Sequence, residues 1–272
     1  MIAARVLERT QRQGSGFSLI ELAVALAIIA VVLGAVLVPL TTQISLRNET
    51  ATQKVLEQVS EALLGYAAAA GRLPCPATEN SDGAEDFAVG GDATNGNCQS
   101  FWGFVPAVTL GLSSVDGRGF AVDAWGTSQN RIRYAVANDT LNGVQNPFTR
   151  AGGMRAATMA WLVSSELLHV CASSAGVLAG THCTTTLPYD ATNTLTNNAP
   201  AVVWSVGPNA GTTGGNSNDE RQNPNPNTIN PGSADRIFVS HVRSGAPEFD
   251  DIVTWLSAPR LINRMIVAGQ LP

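Results

Sequence analysis

Residues 16–40 read GFSLIELAVALAIIAVVLGAVLVPL, and the last 24 of them contain a single ionisable side chain, Glu21. As an α-helix, this stretch would extend about 36 Å, enough to cross a hydrocarbon core of about 30 Å. Arg5, Arg9 and Arg12 precede it. A basic flank on a single span predicts that the N-terminus stays in the cytoplasm and that the rest of the chain is exported.

Neither common type of N-terminal apolar segment explains Glu21. A cleaved secretory signal has an apolar region of about 7–15 residues, which is shorter than this one. A plain membrane anchor fits the length but leaves a carboxylate inside the span, at a cost of about 2–3 kcal/mol. Cleavage between Gly16 and Phe17 would create an α-amino group four residues before Glu21. That ammonium, from the same chain or a neighbouring copy, is the partner that the carboxylate needs.

The hexapeptide GFSLIE at residues 16–21, followed by the apolar run, resembles the signal of type IV prepilins and type II secretion pseudopilins. The resemblance implies cleavage after Gly16 by a membrane prepilin peptidase, which would also N-methylate Phe17. It further implies that Glu21 pairs with the methylated amine of an adjacent subunit during filament assembly. A pilin or pseudopilin role is therefore the leading hypothesis.

The composition excludes several other classes of protein. The chain has 272 residues, a formal net charge of −5 and no basic run, so no nucleic-acid partner is indicated. Only 14% of the residues are charged, which is too few for a disordered acidic or basic chain. The length suffices for one large domain or two small ones with a hydrophobic core.

We divide the chain into a cleaved leader (1–16), a transmembrane or filament-core helix (17–40), its amphipathic continuation (41–70) and an exported globular domain (71–272). The apolar positions of the third segment recur at three- and four-residue spacing, as on one face of a helix: Val55, Val59, Leu63 and Tyr66.

Glycine and proline residues mark the expected irregularities of this helix. Gly34 and Pro39 weaken helical structure, so we expect a kink or an unwound stretch near them. The helix is expected to continue to about Ala70 and to stop at Gly71.

Beyond Leu73, short candidate strands alternate with loops rich in Gly, Asn, Pro and Ser. The predicted strands cover residues 131–137, 169–173, 201–206, 236–242 and 252–256. Residues 159–168 and 261–268 are predicted helices. Together these elements predict an α+β, pilin-like fold, in which a long N-terminal helix, half of it transmembrane, packs on an antiparallel β-sheet with long loops.

Four cysteines are present, and disulfides are their default state in an exported domain. Sequence alone permits three pairings. We prefer Cys75–Cys98 and Cys171–Cys183, because each pair closes a loop rich in turn residues.

An alternative for the second pair is a zinc site, since His169, Cys171, His182 and Cys183 are the ligand types that zinc prefers. The adjacent residues His182 and Cys183 suit tetrahedral coordination poorly. An exported thiol pair would also usually be oxidised before it met zinc, so the disulfide is favoured.

Two further segments resemble type II secretion major pseudopilins. Asp123-Ala-Trp-Gly126, with Tyr134 downstream, is similar to their Asp-Pro-Trp-Gly…Tyr segment and departs from it at Ala124. Residues 205–215 and 251–255 loosely resemble the same family's calcium loop, although a long insertion separates the two parts. Asn209 stands where an aspartate is expected.

Calcium takes six to eight oxygen ligands. No cofactor is required by the sequence, but five side chains could supply oxygens to Ca²⁺ if the loop folds back: Asn209, Asp219, Glu220, Asp250 and Asp251. The alternative is a long surface loop over residues 207–232, capped by ordinary Asx turns.

Catalysis finds little support, because the three histidines form no nucleophile-base pattern and no phosphate loop or His-Glu-x-x-His run occurs. We expect no enzyme, although a membrane-anchored exported enzyme is one hypothesis. The leading hypothesis is a structural filament subunit whose partners are prepilin peptidase, other pilin or pseudopilin subunits, the inner-membrane assembly machinery and lipid. The alternative is a minor, tip-located pilin that acts as a surface-binding or adhesin module.

Overall fold

The computed structural model describes residues 18–126, 128–175, 177, 182–183, 192–211, 215–223, 236–245 and 248–272, with the backbone alone for residues 35–41. The predicted leader and its cleavage site, Gly16 and Phe17, lie outside the described residues. The chain divides into two compact units, Met1–Arg47 and Asn48–Pro272.

The longest element is helix α1, Leu19–Ala70. Its first turn is capped by the hydroxyl of Ser18, which accepts a hydrogen bond from the Glu21 N–H at 3.2 Å. The helix ends as predicted at Gly71, whose φ of +70° requires a residue without a Cβ. The Gly71 N–H donates to the Ala67 carbonyl at 2.9 Å and closes the last turn.

The backbone of α1 is helical through Gly34 and Pro39, so the unwound stretch expected there is not found. A proline inside a helix costs about 3 kcal/mol, because it removes one main-chain hydrogen bond and crowds the preceding turn. A helix of 52 residues rich in Ala and Leu tolerates that local cost.

The side chains of residues 18–34 are all exposed. Leu19 is 88% exposed, Ile20 74% and Val31 72%, which is far outside the usual range for large apolar groups in a folded protein. Among the described residues, no helix combines the length and the hydrophobicity needed to cross a bilayer.

Beyond α1, four shorter helices occur in the described residues: α2 (Ala107–Leu110), α3 (Gly153–Ala157), α4 (Met159–Ser164) and α5 (Ala258–Val267). The described strands are β1 (Trp102–Phe104), β2 (Arg133–Val136), β3 (Thr140–Leu141), β4 (Val144–Gln145), β5 (Leu168–Cys171), β6 (Thr194–Ala199), β7 (Ala201–Ser205), β8 (Ile237–Val239), β9 (Ser244–Gly245), β10 (Glu248–Phe249) and β11 (Ile252–Leu256). All five predicted strands and both predicted short helices are present, whereas six short strands were not predicted: β1, β3, β4, β6, β9 and β10.

The main sheet has four antiparallel strands in the order β1-β2-β7-β11. β7 is an inner strand that lies between β2 and β11, with Ser205 opposite Ile252 and Ala201 opposite Leu256. All five residues of β7 are buried, which fits an apolar inner strand. This sheet brings the end of β7 beside the start of β11, where the candidate site lies.

A second sheet has the order β6-β5-β8. β5 and β6 are antiparallel, but β5 and β8 are parallel, with His169 opposite Ile237. The predicted antiparallel sheet is thus the four-stranded main sheet, and the second sheet adds one parallel pair. The long connection between β5 and β8, which includes β6 and β7, lets the chain return in the same direction.

The core of the second unit lies between the later part of α1 and the main sheet. Leu56, Val59 and Leu63 of α1 are at most 2% exposed, and they share one cluster with Trp204 of β7 and Met265 of α5. Burying each of these aliphatic side chains contributes about 1.5–3 kcal/mol. Most of the predicted apolar stripe of α1 therefore lies in this core or packs against it.

Candidate functional site

The first candidate site is the start of α1. Glu21 lies in the first turn, where a negative charge is favourable because it faces the positive end of the helix dipole. Its neighbours Ile20 and Leu22 are 74% and 54% exposed. The described part of this site is therefore a carboxylate in an exposed apolar surface, while Gly16 and Phe17 lie outside the described residues.

The second candidate site is a cluster of three carboxylates from Glu220, Asp250 and Asp251. Their candidate ligand oxygens lie within 4.8 Å of one another. The residues are buried, at 2%, 5% and 7% exposure respectively. Three mutually close, buried carboxylates repel one another, so such a cluster needs protons or a cation to be stable.

Two loops bring the carboxylates together. Glu220 begins a single 3₁₀ turn, Glu220–Gln222, while Asp250 and Asp251 lie between β10 and β11. Gly207 and Gly215 have φ values of +64° and +70° and leave room for the acids. A Cβ on Gly207 would come within 2.6 Å of Asp250 Oδ1, and one on Gly215 within 2.5 Å of Glu220 Oε2. Glycine at these positions therefore permits the positive φ and also lets the backbone pack directly against the two acids.

Hydrogen bonds fix the Glu220 carboxylate. Its Oε1 accepts from Asn209 Nδ2 and from the Asp250 N–H, both at 3.1 Å. Its Oε2 accepts from the N–H groups of Asn216 at 2.5 Å and Ser217 at 3.2 Å. The described parts of the loop, residues 207–211 and 215–223, thus fold around the carboxylate.

The two aspartates differ in how their oxygens are satisfied. Asp251 Oδ2 accepts from Asn223 Nδ2 at 2.6 Å. Asp250 Oδ1 is buried and has no hydrogen-bond partner among the described residues. An unsatisfied buried carboxylate oxygen within a cluster of acids is the group to which a bound cation would be attracted.

The electrostatics agree with this geometry. Burial raises the pKa of Asp250 to about 7, and the carboxylates of Glu220 and Glu248 raise it as well. Burial raises the pKa of Asp251 to about 8, against the hydrogen bond from Asn223. Without a cation, the site therefore holds its acids partly protonated near neutral pH.

One buried cation lies near the cluster. Arg133 of β2 is fully buried, and burial lowers the pKa of its guanidinium to about 10, against the charges of Asp251 and Asp123. The charge of Arg243 also acts on Asp250, lowering its pKa, but when all three acids are ionised their negative charge exceeds that of the two arginines. The donors are all oxygens, so the residues fit a hard divalent cation such as Ca²⁺.

The five predicted calcium ligands do not all meet. Glu220, Asp250 and Asp251 form the cluster, and Asn209 reaches it through its hydrogen bond to Glu220. Asp219 instead accepts hydrogen bonds from the Ser174 N–H at 2.6 Å and from His241 at 3.0 Å.

The environment of Asp219 is that of a loop anchor. Burial alone would raise the pKa of Asp219, but the hydrogen bonds from Ser174 and His241 hold it below its usual value. Asp219 therefore ties two loops together and lies outside the carboxylate cluster.

Asn223 is a site residue that the sequence did not reveal. Its side chain donates to Asp251 and to the Val239 carbonyl, and accepts from the Val239 N–H. It is one asparagine in a polar stretch with several others, so no local signal marks it. Only the packing of the loop against β8 gives it a role.

Both preferred disulfides are present. Cys75 is bonded to Cys98 and Cys171 to Cys183, with Cα–Cα distances of 5.4 and 5.3 Å. The sulfurs of Cys171 and Cys183 are bonded to each other, so neither is a thiolate that could bind zinc. The rings of His169 and His182 pack edge to face, with centroids 5.4 Å apart.

Comparison with known proteins identifies the N-terminal segment. Residues 12–37 match the family model described as the prokaryotic N-terminal methylation motif. Neither the curated proteins nor the solved structures gave a match. The matched residues include Gly16, Phe17 and Glu21 and the exposed start of α1. The chain therefore carries a prepilin-type N-terminal methylation motif, consistent with the type IV prepilin and pseudopilin family.

Proposed function

We propose that the chain is a structural subunit of a type IV pilus-like or type II secretion filament, processed by prepilin peptidase and assembled through its N-terminal helix. The observation that carries the proposal is the methylation motif at residues 12–37, which overlaps the exposed apolar part of α1. A continuous exposed apolar surface of this kind needs a partner, either lipid or apolar helices of other subunits.

In this proposal, the precursor crosses the inner membrane once, with its N-terminus in the cytoplasm. The basic leader supports that orientation, and the two disulfides support an oxidising compartment for the globular unit, either periplasmic or extracellular. The partners are the peptidase, other pilin or pseudopilin subunits, the inner-membrane assembly machinery and membrane lipid.

Glu21 has a defined role in this assembly. Its carboxylate would pair with the methylated amine of Phe17 on an adjacent subunit, because neither charge is stable alone in an apolar bundle. Correctly staggered subunits satisfy both charges, whereas misaligned subunits leave both unpaired. The carboxylate thus selects the register in which helices pack.

A substitution at Glu21 tests this role. Glu21→Ala should leave leader removal intact but reduce incorporation into filaments by about tenfold or more, because the amine loses its partner. Glu57→Ala is the matched control, since Glu57 is an exposed glutamate on the same helix. Immunoblots of processed and filament-associated protein measure both steps. Normal incorporation of Glu21→Ala would contradict the proposed role.

We also propose that the carboxylate cluster binds Ca²⁺, which would neutralise the excess negative charge of Glu220, Asp250 and Asp251. Saturating calcium should raise the melting temperature of the full chain in detergent by about 5 °C over excess chelator. Asp251→Asn should lose most of this increase. Asp219→Asn should keep it, because Asp219 lies outside the cluster. Equal melting temperatures of the unmodified chain in calcium and chelator would exclude the site.

The second candidate function is a minor, tip-located pilin that binds a surface ligand. A cavity of about 310 Å³, lined in part by Asn80, Gln99 and Trp102, supports it. Its mixture of amides and aromatic carbon is typical of small-ligand sites. Stoichiometry in purified filaments distinguishes the two functions, because a tip subunit is rare and a major subunit is abundant.

A further inference from the structure

We infer that Asp123 and the turn that it organises position the cation site and couple it to α1 at Thr52. This inference rests on the proposed binding of calcium by Glu220, Asp250 and Asp251. It assigns to the Asp123–Gly126 segment a role in cation binding, although none of its side chains belongs to the carboxylate cluster.

Asp123 is a buried carboxylate, 4% exposed, that accepts hydrogen bonds from four residues, one of them the Gly126 N–H. Its Oδ2 accepts from Ser205 Oγ at 2.5 Å and from Asn130 Nδ2 at 3.1 Å. Its Oδ1 accepts from the Trp125 N–H at 2.9 Å. These bonds join the Asp123 turn to the end of β7.

The same donors hold the backbone next to the acids. Asn130 Nδ2 also donates to the Gly207 carbonyl at 2.7 Å, and the Gly207 N–H donates to Ser205 Oγ at 3.1 Å. Gly207 in turn touches Asp250 so closely that a Cβ would lie 2.5 Å from the Asp250 carbonyl oxygen. The close contact with Gly207 therefore constrains the position of Asp250. Gly207 is itself held by Asn130 and Ser205, and both of these side chains donate to Asp123.

The other end of this chain of contacts is on α1. The Ala124 N–H donates to Thr52 Oγ1 at 3.1 Å, and Thr52 is fully buried. The Thr52 hydroxyl on α1 therefore accepts a hydrogen bond from the turn whose conformation Asp123 stabilises. The contacts run continuously from α1, through the turn, to the backbone beside the cluster.

Binding of calcium at the carboxylate cluster favours the conformation of the Asp123 turn in which the hydrogen bond to Thr52 forms. Calcium that fixes Asp250 would stabilise Gly207 and the Asp123 turn, and so the hydrogen bond to Thr52. Because coupling between sites is reciprocal, loss of the Thr52 bond must weaken calcium binding by the same factor. Groups that hold metal ligands in place commonly change metal affinity by about 10- to 100-fold when they are removed.

The test is calorimetric titration of the full chain in detergent micelles with calcium chloride. Asp123→Asn should weaken binding by about tenfold or more, and Ser205→Ala, which keeps the carboxylate, should act in the same direction. Thr52→Val should weaken it by about threefold. Asp139→Asn is the matched control, because Asp139 is a partly buried aspartate that pairs with Arg236 outside the network. Its calcium affinity should equal that of the unmodified chain.

Hydrogen exchange at the Ala124 amide gives a second readout that a merely structural role of Asp123 would not change. Calcium should slow exchange of the Ala124 amide in the unmodified chain, although Ala124 is not a calcium ligand. In Ser205→Ala, calcium should slow this exchange by a smaller factor. Unaltered calcium affinity in Asp123→Asn, Ser205→Ala and Thr52→Val would overturn the inference. Absence of calcium binding by the unmodified chain would overturn the proposed cation site itself and the inference with it.

Discussion

At the scale of single residues, carboxylates occupy two contrasting environments. Glu21 is exposed among exposed apolar side chains, which suits a group whose partner is on another subunit. Asp250 and Asp251 are buried close to Glu220, which suits a group whose partner is a cation. The sequence identifies Glu21 because the acid interrupts an apolar run. It identifies Asp251 through resemblance to a calcium loop, and Asp250 as an adjacent carboxylate that could supply an oxygen if the loop folds back.

His169 makes stability depend on pH in a calculable direction. Burial lowers its pKa to about 4, below the value of about 6.5 of an unfolded chain. The unfolded state therefore binds more protons between these values, so this histidine's contribution is complete above pH 6.5 and is lost as the pH falls towards 4.

Denaturant unfolding of the full chain at pH 7, 6, 5 and 4 measures this contribution. Relative to the unmodified chain, His169→Gln should reduce the fall in unfolding free energy by up to about 1.4 kcal/mol per pH unit. Parallel pH profiles for the two proteins would show that His169 is not buried uncharged.

At the scale of secondary-structure elements, the sequence predicts what local pattern controls. Helix α1 ends where Gly71 permits a positive φ, and β11 coincides with its predicted bounds because Ile252–Leu256 is apolar and bounded by polar residues. β6 was missed because TLTNNA has no apolar alternation, and β1 because it has only three residues. The parallel pairing of β5 with β8 joins residues far apart in sequence, so no local pattern predicts it.

The disulfide between Cys75 and Cys98 joins two segments 23 residues apart and so restricts the loop between them. Replacing both cysteines by alanine should lower the unfolding free energy by about 3 kcal/mol, since the unfolded chain regains the freedom of that loop. The midpoint of denaturant unfolding measures the change. A double variant as stable as the unmodified chain would show that the bridge adds no net stability.

At the scale of the whole molecule, two regions carry the proposed functions. The first compact unit carries the methylation motif, and the second carries the core and the carboxylate cluster. The second unit begins at Asn48 and includes residues 56–67 of α1, which supply part of its core.

The central claim is that the chain is processed as a prepilin-type subunit, and the N-terminus of the mature protein tests it most directly. Intact-mass and N-terminal peptide analysis of protein extracted from the membrane of cells that express prepilin peptidase should find a chain that begins at Phe17 with one added methyl group on its α-amine. The leader, residues 1–16, should remain attached when the peptidase is absent. A mature chain that begins at another residue, or at Phe17 without the methyl group, would contradict the account.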